Sequence, residues 1–279
     1  MKTGVSSYSF GRLFKNPGYT LFNVIEDAKK IGFDTIEFTD FKAPEGKTPR
    51  EFAGDLRTAC DAAGLPVSNY AVGADFLAGP KEAARLREQV DIAKILGAPC
   101  LRHDLVAWNL TGYRSYHDII KQIAGGIRDL TEYAAGVGVK TTTENHGYLF
   151  QDSRRMEELV MAVDHPNYGL LVDMGNFLCA DENSVSALAT AMPYAFHVHA
   201  KDFLWKSGAE PKPDDSWFPS RGGNHLRGTI LGHGVVSVAQ CIEYIKKTGY
   251  DGVISLEFEG MEEPLDAIRR GYEFLKAHC

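Results

Sequence analysis

The chain has 279 residues, 44% of them hydrophobic and 24% charged, with a formal net charge of −7. That length supports a large core, and an α/β barrel of about 250 residues commonly forms one domain. The acidic balance argues against a nucleic-acid or membrane-surface binder. The five cysteines, an odd count without CxxC spacing, read as reduced thiols. No apolar stretch has the length of a membrane span, and MKTGVSSYSF lacks the apolar core of a secretion signal. A cytoplasmic location is therefore expected.

Along the chain, short β-rich runs alternate with longer helical patterns, as in a parallel sheet. The expected strands are TGVSSYS (3–9), DTIEFTD (34–40), PVSNYAV (66–72), PCLRHD (99–104), VKTTTE (139–144), YGLLVD (168–173), AFHVHA (195–200) and GVISLEF (252–258). Helical stretches such as LFNVIEDAKKIG (21–32) and EAARLREQVDIAKILG (82–97) lie between them. Several end on glycine (IGFD, AGLP, LGAP, GVGV, TGYDG), which supplies the left-handed residue that stops a helix. Eight such units in one undivided chain predict a closed (β/α)8 barrel spanning residues 1–279 as one domain. A doubly wound open sheet is the alternative, but no GxGxxG follows the first strand.

One interval breaks the rhythm. About fifty residues separate AFHVHA from GVISLEF, and the excess, 206–234, is rich in Pro, Gly and Asp around Trp217 and Phe218. A long irregular segment in a compact domain is either disordered or functional. Its aromatics, mixed with Arg221, His225 and Arg227, favour a loop that covers substrate.

Barrel active sites form at the C-terminal ends of the strands. Those ends carry Glu144 (TTTENH), Asp173 (LLVDMGN), His199 (HVHAKD) and Glu257 (SLEFEG). Any one of the carboxylates alone reads as a rim charge or a helix cap, and the histidine alone as a buried imidazole hydrogen-bonded to backbone. Three carboxylates converging on one mouth repel unless a cation neutralises them. One divalent metal is the economical solution, and three carboxylates with one imidazole suit Mn²⁺ first, with Mg²⁺, Co²⁺ or Zn²⁺ as alternatives. His199 is then the ligand of the HVH pair, and His197 a packed or supporting histidine.

Taken as a set, ENH, VDMGN, HVHAKD, GHGVV and SLEFE resemble the sugar phosphate isomerase/epimerase family, with its xylose isomerase-like barrel. The resemblance covers nearly the whole chain. That family includes ketose 3-epimerases, inosose dehydratases and hydroxypyruvate isomerases. It implies one divalent metal on Glu144, Asp173, His199 and Glu257, with Glu144 and Glu257 as acid and base, and a small carbohydrate substrate. Two departures stand out. Ketose 3-epimerases have histidine where this chain has Asn176, and arginine where it has Trp205. GHG at 232–234 also replaces a more familiar GEG. Expected substrate contacts are His103, His146, Asn176, Lys201, Trp217 and Arg221, with Glu37 a further carboxylate near the site. The reaction left open is isomerisation, epimerisation or elimination (dehydratase or lyase). A DNA-repair barrel of the endonuclease IV type lacks support, because it needs further histidines, one of them at Asn176. A sugar-binding barrel without catalysis is disfavoured by the full ligand set. Homo-oligomerisation stays open.

Overall fold

A computed structural model of the chain describes residues 1–108 and 110–279. In chain order its strands are β1 (Lys2–Ser6), β2 (Thr35–Thr39), β3 (Val67–Val72), β4 (Cys100–His103), β5 (Lys140–Glu144) and β6 (Tyr168–Asp173). They continue as β7 (Ala195–Ala200), β8 (Asp202–Lys206), β9 (Phe218–Pro219), β10 (His225–Thr229) and β11 (Val253–Leu256). The helices are α1 (Leu21–Ile31), α2 (Pro49–Ala63), α3 (Pro80–Leu96), α4 (Tyr116–Val137), α5 (Ser153–Val163), α6 (Ser184–Ala191), α7 (Val238–Thr248) and α8 (Pro264–His278). Strands β1 to β7 and β11 close into a parallel barrel in the order β1-β11-β7-β6-β5-β4-β3-β2. This is the expected (β/α)8 barrel.

The five glycine stops behave as the sequence predicts. Gly32, Gly64, Gly97, Gly138 and Gly249 all sit at positive φ where α1, α2, α3, α4 and α7 end. At its start, α2 carries a capping box of Thr48 with Glu51, and Pro49 occupies the first turn where no N–H is needed.

Alternation divides each strand between two environments. Ile36, Phe38, Leu101, Val172 and Ile254 face outward and pack with Leu56, Leu86, Ile123 and Leu159 from the helices. Burial of each such side chain contributes about 1.5–3 kcal/mol. With that layer stabilising the fold, the inward positions are free to be polar: Glu37, Asn69, Arg102, Thr142, Glu144, Asp173, His197, His199 and Ser255 are all buried.

The 206–234 interval differs from the irregular loop expected. β8 and β10 pair antiparallel from Asp202–Thr229 to Lys206–His225, and β9 adds a short third strand beside β10. The Asp202 carboxylate organises its return, accepting backbone N–H groups from Gly232, Gly234 and Val236 at 2.8–3.1 Å. This explains GHGV: the glycines bring the backbone onto Asp202, while His233 faces Arg270 at 3.1 Å. The histidine of GHG thus makes an exposed contact with α8.

No helix among the described residues is long and apolar enough to cross a membrane. The cysteines are free thiols, four of them buried.

Candidate metal centre

Strand order makes β11, β7, β6 and β5 consecutive, so Glu257, His199, Asp173 and Glu144 line one arc of the mouth. Glu257 lies one residue beyond β11, its N–H bonded to the Ala200 carbonyl at 3.0 Å. Local chemistry sets each of these side chains. Asp173 Oδ1 accepts the N–H groups of Gly175 and Asn176 at 2.8 and 2.9 Å, capping the short 3-10 helix Asn176–Ala180. Its Oδ2 is left without a hydrogen-bond partner. Asn145 of ENH locks the neighbouring strand ends, accepting from the Asp173 N–H at 2.8 Å and donating to its carbonyl at 2.9 Å. Gly175 is required because a Cβ there would stand 2.7 Å from the Lys201 carbonyl.

The four side chains offer ligand atoms that all lie within 4.8 Å of one another, and all four are buried. His199 Nδ1 is 3.8 Å from Glu144 Oε1, 3.8 Å from Asp173 Oδ2 and 3.6 Å from Glu257 Oε2. Atoms held about 2.0–2.3 Å from one cation stand roughly 3–4.5 Å apart, so this spacing fits a divalent ion. The orphaned Asp173 Oδ2 and His199 Nδ1 fit it as well.

Beneath lies the answer to the HVH pair. His199 Nε2 stands 2.8 Å from Glu37 Oε1, while Glu37 Oε2 takes His197 Nε2 at 2.9 Å and the Asn69 amide at 3.3 Å. The wholly buried Glu37 carboxylate is held well below the usual carboxylate range: burial opposes its charge, but His199 and His197 outweigh that. A carboxylate at Nε2 favours a proton there, so that with a cation bound the Nδ1 lone pair would be the one offered to the cluster. Glu37→Gln is therefore expected to weaken Mn²⁺ binding about 10–100-fold with the barrel intact. Calorimetric titration checks this, and unchanged affinity would remove Glu37 from the site.

Two buried cations complete the electrostatics. The Arg102 guanidinium contacts Glu144 Oε2 at 2.7 Å and Asp104 Oδ1 at 2.9 Å. Lys201 Nζ lies 2.5 Å from Glu257, 3.4 Å from Asp173 and 3.6 Å from Glu259. Burial opposes ionisation of Glu144, yet Arg102 and His199 hold its pKa well below normal. Burial likewise opposes ionisation of Glu257, and Lys201 and His199 overcome it. Asp173 goes the other way, pushed up to about 6 by burial and by Glu144 and Glu257, against the pull of Lys201. A cation bound among these carboxylates would relieve that mutual repulsion.

Among the expected substrate contacts, the structure brings His146, Asn176 and Lys201 to the mouth. Asn176 donates to Glu144 Oε1 at 2.9 Å and accepts from Lys201 at 3.3 Å, so its amide is committed to positioning both. His103 is not brought there. Strand parity turns it outward between Phe76 and Tyr168, with Nδ1 2.8 Å from the Asp104 carbonyl. Arg102, one residue earlier, faces the lumen instead, and an arginine within a short barrel strand was the available signal. Arg221 pairs with Asp152 at 2.8 Å and donates to the Tyr148 carbonyl, so it fastens the β9–β10 ribbon to the barrel. Trp217 stacks against Arg227, while its neighbour Phe218 faces the cavity. His225 contacts the Glu210 carbonyl. Tyr8, Trp108, Tyr148 and Glu259, none of them singled out by the sequence, also line the mouth.

Wholly buried, His103 has a pKa lowered to about 4 by burial, reinforced by Arg102, against the pull of the Asp104 carbonyl. Between its unfolded value near 6.5 and about 4, the unfolded chain binds a proton that the folded chain refuses. Stability from this group is thus full above about pH 6.5 and lost as pH falls to 4, by about 3 kcal/mol. His103→Gln should flatten the urea-unfolding free energy across that window relative to the parent chain. Parallel curves would mean that His103 does not titrate as argued.

Two cavities meet at the mouth. The inner one, about 220 Å³, contains Arg102, Glu144, His199 and Glu257. The outer one, about 490 Å³, is walled by Trp108, Tyr148, Phe218 and Pro219. Tyr8, His146, Lys201 and Glu259 border both.

Fold and site together define a (β/α)8 barrel with a carboxylate–imidazole cluster fit for a divalent cation at its C-terminal mouth. The chain belongs to the xylose isomerase-like TIM barrel family, whose family model matches residues 25–278. It is 26% identical over 140 residues to an inosose dehydratase of Lacticaseibacillus casei, a match covering 50% of this chain and 47% of that protein. The chain thus spans about half the length of that relative. It is 21% identical over 266 residues to the L-ribulose-5-phosphate 3-epimerase UlaE of Escherichia coli, covering 90% of this chain and 87% of the other. A solved xylose isomerase-like TIM barrel protein from Mycobacterium smegmatis in complex with magnesium shares the fold, with a TM-score of 0.72 and 19% identity. That likeness covers 97% of this chain and 94% of that one.

Proposed function

We propose that this protein is a divalent-metal-dependent isomerase or epimerase of a keto-sugar or related polyol. The observation that carries the reading is the buried cluster of Glu144, Asp173, His199 and Glu257, in which Asp173 Oδ2 and His199 Nδ1 make no hydrogen bond. These four residues would hold the cation, Mn²⁺ or Mg²⁺ by their hard, oxygen-rich donors. Bound there, it supplies the positive charge that acidifies a C–H beside a substrate carbonyl and stabilises the charge that develops on oxygen.

The proton transfers belong to the chain's own carboxylates. Glu144 and Glu257 stand at the two ends of the arc, and both stay ionised at neutral pH, so either can accept a proton from carbon. Epimerisation follows when the opposite carboxyl, having taken up a proton from solvent, delivers it to the other face of the carbon. Return of the abstracted proton at the adjacent carbon, with the hydroxyl proton moving to the former carbonyl oxygen, gives isomerisation. Arg102, Asn176 and Lys201 fix the two carboxylates, so their approach to substrate is set before it arrives. The named relatives, an epimerase of a sugar phosphate and a dehydratase of an inosose, support carbon acids of this type.

Elimination is the second reading, favoured by Lys201, an ammonium that borders both cavities and can donate to a departing oxygen. Both readings share the first proton abstraction. Keto-sugars and keto-inositols incubated in D₂O with Mn²⁺ should therefore exchange a C–H in a chelator-sensitive manner. A purified protein that binds no stoichiometric metal and exchanges none of them would end the proposal.

A further inference from the structure

We infer that the outer cavity binds a second ring carried by the reacting sugar. The substrate is then a glycoside with a flat, apolar-faced substituent rather than a free or phosphorylated monosaccharide. The inference rests on the proposed function only for placing the reacting sugar at the metal cluster.

Size is the first reason. Small-molecule sites span roughly 300–1,000 Å³. The inner cavity, at about 220 Å³, falls below that range and suits one monosaccharide, while the adjoining 490 Å³ has room for another ring. Because Tyr8, His146, Lys201 and Glu259 border both, one molecule can occupy the two together.

The walls are the second reason. Trp108 is 59% exposed, an apolar face left in water at the lip of a cavity. Its ring lies 5.0 Å from His146 and 5.3 Å from Tyr148, centroid to centroid. Tyr148 is in turn held firmly. Its φ of 56° is a strained, left-handed value for a residue other than glycine. That turn is tied by its N–H to Gln151 at 2.8 Å, by its hydroxyl donating to the Pro219 carbonyl, and by Arg221 at its own carbonyl. Phe218 faces the same space from the ribbon, packed edge-on against Phe203. Aromatic faces fixed in advance bind a flat ring with little ordering cost.

Charge is the third. Among the described residues lining the outer cavity, Lys201 is the one lysine or arginine, and it is engaged by Glu257, Asp173 and Glu259. Arg221 and Arg155 are both paired with Asp152. A phosphate dianion entering here would meet the Glu259 carboxylate and no available guanidinium, the opposite of a phosphate site.

The test compares two glucosides that differ only in the substituent, with a sugar phosphate as the contrasting probe. Phenyl β-D-glucoside, methyl β-D-glucoside and glucose 6-phosphate are titrated calorimetrically, with and without Mn²⁺. The phenyl glucoside should bind roughly tenfold tighter than the methyl glucoside. In Trp108→Ala that ratio should fall to near one, and Phe218→Ala should lower it too. Trp108 is exposed, so the first variant keeps its fold, and its melting temperature verifies that. The inference is overturned if the phenyl glucoside shows no measurable binding or binds no tighter than the methyl glucoside. A ratio that survives Trp108→Ala, or glucose 6-phosphate binding tightest, overturns it equally. Failure of Mn²⁺ to bind strikes the proposed function instead, since the phenyl-to-methyl ratio is still read without metal.

Discussion

Replacing Glu144 or Glu257 by glutamine is expected to leave a folded barrel that no longer moves protons to and from substrate carbon. Glutamine keeps the size of the side chain and loses the basic oxygen. Loss of one proton-transfer group costs about 10²–10⁴-fold. The two variants should fail alike because each carboxylate has its own cation, Arg102 for Glu144 and Lys201 for Glu257, and neither can take over the other's position. Exchange of substrate C–H in D₂O at saturating Mn²⁺ measures the loss, and thermal melting checks the fold. A variant that kept exchange within about threefold of the parent chain would not have lost a proton-transfer group of that weight, and its carboxylate would be a ligand only.

Arg102→Met should produce the largest loss of stability. The guanidinium is buried, 2.7 Å from Glu144 and 2.9 Å from Asp104. Methionine fills the space but leaves Glu144 beside Asp173 and Glu257 with one fewer compensating charge. Breaking a buried pair by removing one partner costs about 3–5 kcal/mol. For a chain of this size that lowers the melting temperature by roughly 10 °C, at about 2–4 °C per kcal/mol. The cause is uncompensated negative charge, so Mn²⁺ should recover more stability in the variant than in the parent chain. Melting curves with and without Mn²⁺ decide it. A fall that Mn²⁺ leaves untouched would point to packing, and a fall of less than about 2 °C would mean that the pair contributes little.

Much of the barrel is written in patterns that need only near neighbours. Alternation and glycine stops repeat every strand and helix, and the left-handed φ of Gly32, Gly64, Gly97, Gly138 and Gly249 follows from the missing Cβ alone. Once eight strands are ordered, their C-terminal ends share one mouth, so Glu144, Asp173, His199 and Glu257 could be gathered from sequence. Parity was harder. In PCLRHD both Arg102 and His103 could face the lumen, and a shift of one residue exchanges them. Only the register of β4 against β3 and β5 turns Arg102 inward and His103 out.

Pairings between distant segments lay beyond the sequence. Nothing local says that Arg221 meets Asp152, 69 residues away, or that Tyr148 reaches Pro219, 71 residues away. Nor does it say that Glu37 lies beneath His199, or that 206–234 folds back as a ribbon around β10. Local periodicity thus determined the barrel and the arc of candidate ligands. Closure of the barrel decided which charges compensate that arc and which aromatic faces stand beside it, because those contacts exist only once remote strands and loops share one mouth.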